Sequence, residues 1–422
     1  MLLTGEILAE NMSEAEQDRA ARVESILPKL RETAVEVDRS GEFNSDHVKT
    51  LSDAGLLGLV VPEQYGGLGG GLRDLCAATY AMGSACPSTA LAYFFHCSSS
   101  SRGLLALEAI EAGLFEGEEA ETVRAFAEKV LHTMGRDGKW LANFASESVK
   151  SEKAAITIST TAKKVEGGYS ISGVKSFGCA TGVADRYLVT ACLEGIEDAS
   201  GLATFFIDRD APGVSEREKW DSLGMRGTAT HGLILKDVFV ADDDALAVPG
   251  AFVKSMKMSR GSFVGNQIAG IAVYAGAANT VYQSVLEMLT TKKFADSGKV
   301  IGSSQFHQQL IGQMMVDLET AMLWLRRQLQ LETALPPMME KSDVVKQWRL
   351  CKGVVAEAAF RVATSAMKAA GTSGTANTQP YARALRDMGM GLVQAFPAER
   401  GQLMAAQMEV EGIEQAQFGV GD

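Results

Sequence analysis

The sequence predicts an α+β chain in three parts: an N-terminal helical domain, a middle β-barrel-like domain and a C-terminal four-helix bundle. Three observations carry this reading. Apolar residues recur at threes and fours ahead of Trp140, alternate as strands do from Trp140 to about Val240, and return to helical spacing from Val253 onward. The boundaries that follow are 1–139, 140–248 and 249–422.

Taken in order, residues 13–38 read as a helix whose apolar stripe is Ala20, Val23, Ile26, Leu27, Leu30 and Val35. A second helix, Ser45 to Ala54, ends at Gly55 as a C-cap. Gly66 to Gly71 read as a turn between helices, and no βαβ unit surrounds them to make a dinucleotide fingerprint. PSTALAYFFHCSSSSRGLL reads as one helix carrying His96, and residues 108–136 as two polar helices with a solvated acidic run from Glu116 to Glu121. Within the strand region, turns fall at Gly167-Gly168 and around Asp198 to Gly201. Beyond it, Ile268, Ile271, Ala275, Ala278, Tyr282, Val285 and Leu289 mark one buried helix face. Helices near 303–331 and 342–369, split by Leu335-Pro336-Pro337, and a closing helix from Pro397 to Val410 complete an antiparallel bundle of four.

Composition bounds the function. The chain has 422 residues, 46% hydrophobic and 22% charged, which is ordinary for a globular protein of two or three domains. A net charge of -12 argues against nucleic acid, whose phosphates need a basic face. The six cysteines show no metal-ligand spacing and read as reduced thiols, which points to the cytoplasm. No apolar run reaches the ~18 residues of a membrane helix, and MLLTGEILAENMSEAEQ lacks the basic flank of a signal peptide.

Four stretches resemble the acyl-CoA dehydrogenase superfamily, which includes a flavin-dependent monooxygenase branch. They are LGLVVPEQYGGLG in the first part, GVKSFGC and LGMRGTATHGLILKDVFV in the second, and the run from Ala370 to Ala398 in the third. The resemblance implies an FAD, or FMN, held between the sheet domain and the terminal helices. It also implies a small substrate such as a CoA or carrier-protein thioester, a flavin reductase or electron-transfer partner, and a homotetramer.

By the same resemblance, Ser146, Phe177, Cys179, Phe294, Gln305, Gly371 and Gly374 fall at cofactor-binding places, and Arg260 and Ala395 at substrate-binding ones. Ser146-Glu147 take the place of the family's Thr-Glu, with SVKSEK replacing the glycine-rich turn that should follow. A thiol at Cys179 stands where a threonine hydroxyl is usual, and it is a poorer hydrogen-bond partner. Arg226 is implied to order a turn, Asp237 to end a strand, and His231 to be structural. Thr291 replaces an arginine that reaches the diphosphate. Pro397 and Glu399 replace other cofactor contacts, and a carboxylate near a diphosphate costs about 1 kcal/mol at a wet distance.

The family's catalytic glutamate has two possible places, and these are Ala395 and Ser259 here; neither can take a proton from carbon. Three readings remain open. The first is O2-using oxidation that needs no strong carboxylate. The second is dehydrogenation with a displaced base, His96 or Glu399. The third is a catalytically silent subunit of a hetero-oligomer. A histidine among apolar residues is more often a hydrogen-bonded core residue than a catalyst, so His96 carries both readings.

Overall fold

Ser13 begins the first helix, α1 (Glu14–Ser40), by a reciprocal cap: its hydroxyl accepts from Glu16 N–H at 3.2 Å while the Glu16 carboxylate accepts from Ser13 N–H at 2.9 Å. The computed structural model describes Ile7 and residues 12–149, 156–259, 268–412 and 418–420. The buried stripe of α1 ends in Ala34 and Val37, whereas Val35, expected inside, is 60% exposed. A 3.6-residue period carries the stripe past it. Helix α2 (Asp46–Asp53) stops one residue short of Gly55, which is left-handed as a stop residue should be.

After the glycine turn come α3 (Leu72–Ala85), α4 (Pro87–Ser98), α5 (Ser101–Glu111) and α6 (Gly117–Met134). The single helix expected through His96 is therefore two. The hydroxyls of Ser98 and Ser99 both donate back to Phe95 O, at 2.8 and 3.2 Å, and compete with the helix ladder at that point. The two polar helices expected over 108–136 are the tail of α5 and α6, with the acidic run solvated.

The middle domain holds β1 (Leu141–Phe144), β2 (Ile156–Ile158), β3 (Thr161–Val165), β4 (Gly168–Lys175), β5 (Arg186–Leu193), β6 (Leu202–Asp208), β7 (Val214–Glu216), β8 (Leu233–Ala241) and β9 (Ala245–Leu246). Its main sheet runs β7-β8-β4-β3-β5-β6-β9, and β1 lies parallel to the first half of β5, Leu141 beside Arg186. A bulge between Ile171 and Gly173 faces Asp237, at φ 48°. Asp237 was expected to end a strand; it sits inside β8, where its N–H and carboxylate both engage Ser172 Oγ at 3.0 Å.

The last part comprises α7 (Ala251–Met258), α8 (Ile268–Thr291), α9 (Gln305–Thr333), α10 (Lys341–Ala370), α11 (Pro380–Gly391) and α12 (Ala398–Glu411), followed by β10 (Phe418–Val420), which pairs parallel with β2. The helical C-terminal part is as expected, with α11 added to the four helices anticipated. Helix α12 packs on α10, the unanticipated α11 wedges against α8 and α10, and α3 of the first domain lies along α8. That crossing is close because glycine permits it: a Cβ on Gly276 would come within 1.9 Å of Tyr80 O.

The three parts meet at the turn Leu223–Thr228. Asp387 accepts from Met225 N–H at 2.7 Å, Arg226 Nε donates to Asp38 O at 3.0 Å, and Gly227 N–H reaches Ser88 Oγ at 3.3 Å. Arg386 closes the ring with a bidentate pair to Asp38, at 2.8 and 2.6 Å. Among the described residues no helix is long and apolar enough to cross a membrane.

Candidate functional site

Two walls face the junction, one from the sheet domain and one from the helices. The sheet wall begins where β4 ends. Ser176 N–H donates to Ser146 O at 2.8 Å and its hydroxyl bonds Ser148 at 2.9 Å, so the loop after β1 and the loop after β4 are tied together. The second loop is fixed again beyond Cys179, where Ala180 and Thr181 N–H donate to Thr228 O and Ala229 O, each at 2.9 Å. Gly178 presses on Phe144 so closely that a Cβ would lie 2.1 Å from the ring. The tight approach turns Phe177 outward, 53% exposed, with Trp220 edge-on at 5.8 Å.

Cys179 is buried and bonded to Thr230 Oγ1 at 3.2 Å; burial pushes its thiol up to about 12, so it stays protonated. Behind these loops lies a buried ion pair that sequence reasoning did not single out as such. Glu147 accepts from Lys175 Nζ at 2.5 Å, from Ser159 through N–H and hydroxyl at 2.7 and 2.5 Å, and from Thr160 at 3.1 and 2.7 Å. Burial raises the Glu147 carboxyl, but the ammonium and these donors outweigh it and hold it below the ordinary range. The alternation that buries Lys175 on β4 was the available signal.

The helix wall is different. Tyr274 on α8 is fully buried, packed against Gly391 of α11, and its hydroxyl has no hydrogen-bond partner. Its electrostatic neighbours are Asp387 and Cys179. Asp387 is pushed up to about 6, by burial first, with the Met225 N–H and Arg383 opposing. Lys352, buried on α10, donates to Gly391 O at 2.9 Å and to Phe396 O, and so clamps the segment that bears Ala395. Burial lowers its ammonium to about 8. Lys352 lies one turn after Trp348 on the apolar stripe, a lone lysine facing inward, which was a legible signal. Tyr274 was not named on the predicted buried face of this helix, and the missing partner of its hydroxyl cannot be seen in a sequence.

The residues named beforehand divide as follows. Ser146, Phe177 and Cys179 come together on the sheet wall. Ala395 is exposed, at φ 64°, and Ser259 is buried at the end of α7. Arg260 lies outside the described residues. Glu399 is exposed in the first turn of α12. Phe294 and Gln305 flank the connection between α8 and α9, and Gly371 and Gly374 shape the turn after α10, Gly371 at φ 68°. Among the described residues no hydrogen bond or ring contact joins those four to the sheet wall. His231 is structural, as expected: its Nδ1 accepts from Trp220 N–H at 2.8 Å.

His96 requires a correction. Its ring is fully buried beside Trp140, Nε2 donates to Leu57 O at 2.8 Å, and Nδ1 accepts from Leu141 N–H at 2.9 Å. Both nitrogens are committed to backbone, and burial lowers the ring to about 4. It bridges two domains and has no free nitrogen for a substrate proton.

The groups gathered here are of the kind a flavin ring uses: an exposed aromatic at Phe177, the Cys179 thiol bonded to the Thr230 hydroxyl, and, with Cys179 among its electrostatic neighbours, the buried Tyr274 phenol without a hydrogen-bond partner. Comparisons with known proteins place the fold. Family models for the N-terminal, middle and C-terminal domains of acyl-CoA dehydrogenase match residues 13–107, 142–238 and 268–395. Mitochondrial isovaleryl-CoA dehydrogenase of Oryza sativa subsp. japonica is 28% identical over 363 residues, covering 84% of this chain and 81% of its own. Among solved structures, KijD3 in complex with FMN and a dTDP-linked amino-keto sugar superposes with a TM-score of 0.78 at 23% identity, over 97% of each chain. FMN-bound dibenzothiophene monooxygenase TdsC of Paenibacillus sp. A11-2 does so at 0.78 and 20%, over 95% and 98%.

Proposed function

This chain belongs to the acyl-CoA dehydrogenase family, and from that premise we propose that it is a flavin-dependent oxidoreductase that uses O2 to oxidise a small substrate, a CoA or carrier-protein thioester among the candidates. The observation that carries the proposal is the chemistry at the two places of the base. Ala395 offers a methyl group and Ser259 a hydroxyl, while His96 has both nitrogens engaged. Desaturation of a thioester needs a carboxylate-strength base at the α-carbon; transfer of oxygen does not.

A bound, reduced flavin would supply the electrons that activate O2. Phe177 would lie against its ring, with Cys179 and Thr230 as hydrogen-bonding neighbours. Tyr274 would donate from the opposite side, since its hydroxyl is buried and otherwise unpaired. Lys352 would hold the Ala395 segment in place. Phe294, Gln305, Gly371 and Gly374 would serve the cofactor of a second copy. The outer face of α9 supports such assembly, because Met315, Val316 and Leu323 are all more than half exposed. With Thr291, Pro397 and Glu399 at former cofactor places, FMN is as well suited as FAD, and a reductase would deliver the electrons.

The test is anaerobic. Flavin-loaded protein mixed with a panel of acyl-CoA esters should stay yellow, and oxygen uptake tied to product should require NADH and a flavin reductase. Ala395→Glu should gain bleaching by acyl-CoA. Bleaching of the unmodified protein would favour a dehydrogenase with a displaced base, Glu399 being the exposed candidate. Failure to take up FAD or FMN would favour a silent subunit.

A further inference from the structure

Arg102, in the first turn of α5, carries a charge that the protein leaves unmatched. Its guanidinium is held by weak partners only: Nη1 meets Met256 Sδ at 3.3 Å, Nη2 meets Asn143 Oδ1 at 3.5 Å, and Phe252 lies under it at 4.8 Å. Its Nε is buried with no partner, and no ion pair among the described residues includes it. Burial alone, with no neighbouring carboxylate against it, lowers the group to about 10.

Phe252, Ser255 and Met256 stand at i, i+3 and i+4 on α7 and so share one face. Two of the three touch Arg102, and the third, Ser255, is buried with its hydroxyl unpartnered. Ser100, at the start of α5, is also fully buried with a free hydroxyl. A half-buried cation whose Nε has no partner, with buried hydroxyls also left unpaired, is a place where a ligand can gain hydrogen bonds that the protein does not make.

We propose that Arg102 and Ser255 form a subsite for a carboxylate at the far end of the substrate. One guanidinium with a hydroxyl matches a monoanion; a phosphate dianion would call for more positive charge. Ser255 lies one helical turn, about 5 Å, before Ser259, one of the two places of the missing base. The carboxylate would therefore bind a few carbons from the reacting centre, so the substrate class is an ω-carboxyacyl thioester. This rests on the reading that the cleft takes an acyl thioester.

Calorimetry on the full flavin-loaded chain without O2 should show glutaryl-CoA binding at least 10-fold tighter than valeryl-CoA, which has the same chain length without the carboxylate. Arg102→Met should erase the preference while valeryl-CoA affinity stays within two-fold, and Arg102→Lys should keep part of it. Because the charge it removes is only half-buried and belongs to no ion pair among the described residues, Arg102→Met should melt close to the unmodified protein. Equal affinity for the two esters, or a preference that survives Arg102→Met, would overturn the proposal. If neither ester binds, the thioester reading fails on its own, and free glutarate decides the subsite. A rise in melting temperature with glutarate that is absent in Arg102→Met supports it; no rise, or a rise with inorganic phosphate alone, sinks it.

Discussion

The sheet wall and the helix wall of the cleft handle buried polarity in opposite ways. Behind the sheet wall, Glu147 accepts from Lys175, Ser159 and Thr160, and Lys175 donates again to Thr190 O at 2.5 Å. On the helix side the Tyr274 hydroxyl and Arg383 Nη1 are buried without partners, and Lys352 has two carbonyl oxygens and the Phe396 ring for its charge but no carboxylate among the described residues. A fully satisfied network gives a rigid scaffold that owes nothing to a ligand. Groups left with unused hydrogen-bonding capacity are stable only if the rest of the fold offsets them, and they are where a ligand gains most.

The largest break in that contrast is Glu147→Ala. It strands the Lys175 ammonium in the interior and should cost about 3–5 kcal/mol, read as a shift in denaturant midpoint. The double replacement Glu147→Leu with Lys175→Met should recover much of it, since it removes both charges together. Tyr274→Phe makes the complementary case on the helix wall. It deletes a hydroxyl that bonds to nothing in the protein, so stability should change by less than about 1 kcal/mol, while bound flavin or substrate should weaken. A large loss of stability in Tyr274→Phe would show that the hydroxyl has a protein partner after all.

Next in size is the pH dependence set by His96. Its folded value of about 4 lies below the ordinary 6.5, so the unfolded chain holds the extra proton between those values. The stability it contributes is present above pH 6.5 and is lost as pH falls toward 4, by about 3 kcal/mol over the window. His47 is also buried, between Thr33 and Thr89, and is lowered to about 4 by the same cause, while Asp387, raised to about 6, works in the opposite sense below pH 6, so the two histidines act unopposed by it only above that. Urea midpoints between pH 6 and 7.5, above the Asp387 value, should show the slope roughly halved in His96→Gln. An unchanged slope would mean the ring is not the buried neutral group its bonds require.

These contrasts also mark what was legible in the sequence. The order of the three parts, the helices over 13–38 and near 303–331, and the glycine stop at Gly55 were readable because periodicity and capping act locally. Val35 was misplaced because a stripe read by eye drifts against a 3.6-residue period. Helix α11 went unread because its twelve residues were taken up by motif positions and never tested for periodicity. His96 could be placed on a buried helix, yet only the fold shows that Leu57 and Leu141, from two other segments, occupy both its nitrogens. Arg102 sat in a serine-rich stretch that gave no hint of Phe252 and Met256 closing over it.

The smallest predicted effect is at Ala395, and it bears on the loop that both hypotheses about the missing base depend on. Ala395 has φ 64°, a left-handed conformation that costs an ordinary L-residue about 1–2 kcal/mol. Glycine adopts it freely but loses about 0.5–1 kcal/mol more backbone entropy on folding, so Ala395→Gly should stabilise the chain by less than about 1 kcal/mol. The gain appears only if the loop is held in that conformation, and Lys352, bonded to Gly391 O and Phe396 O on either side, helps hold it beside the Phe396 N–H bond to Gln394 O across Ala395. In a Lys352→Met background the loop can relax, so Ala395→Gly should there give no gain, a coupling that a double-mutant cycle of thermal melts measures. Equal gains in both backgrounds would mean that the segment is fixed by something other than this lysine, and that the helix wall is less dependent on its one inward ammonium than its geometry implies.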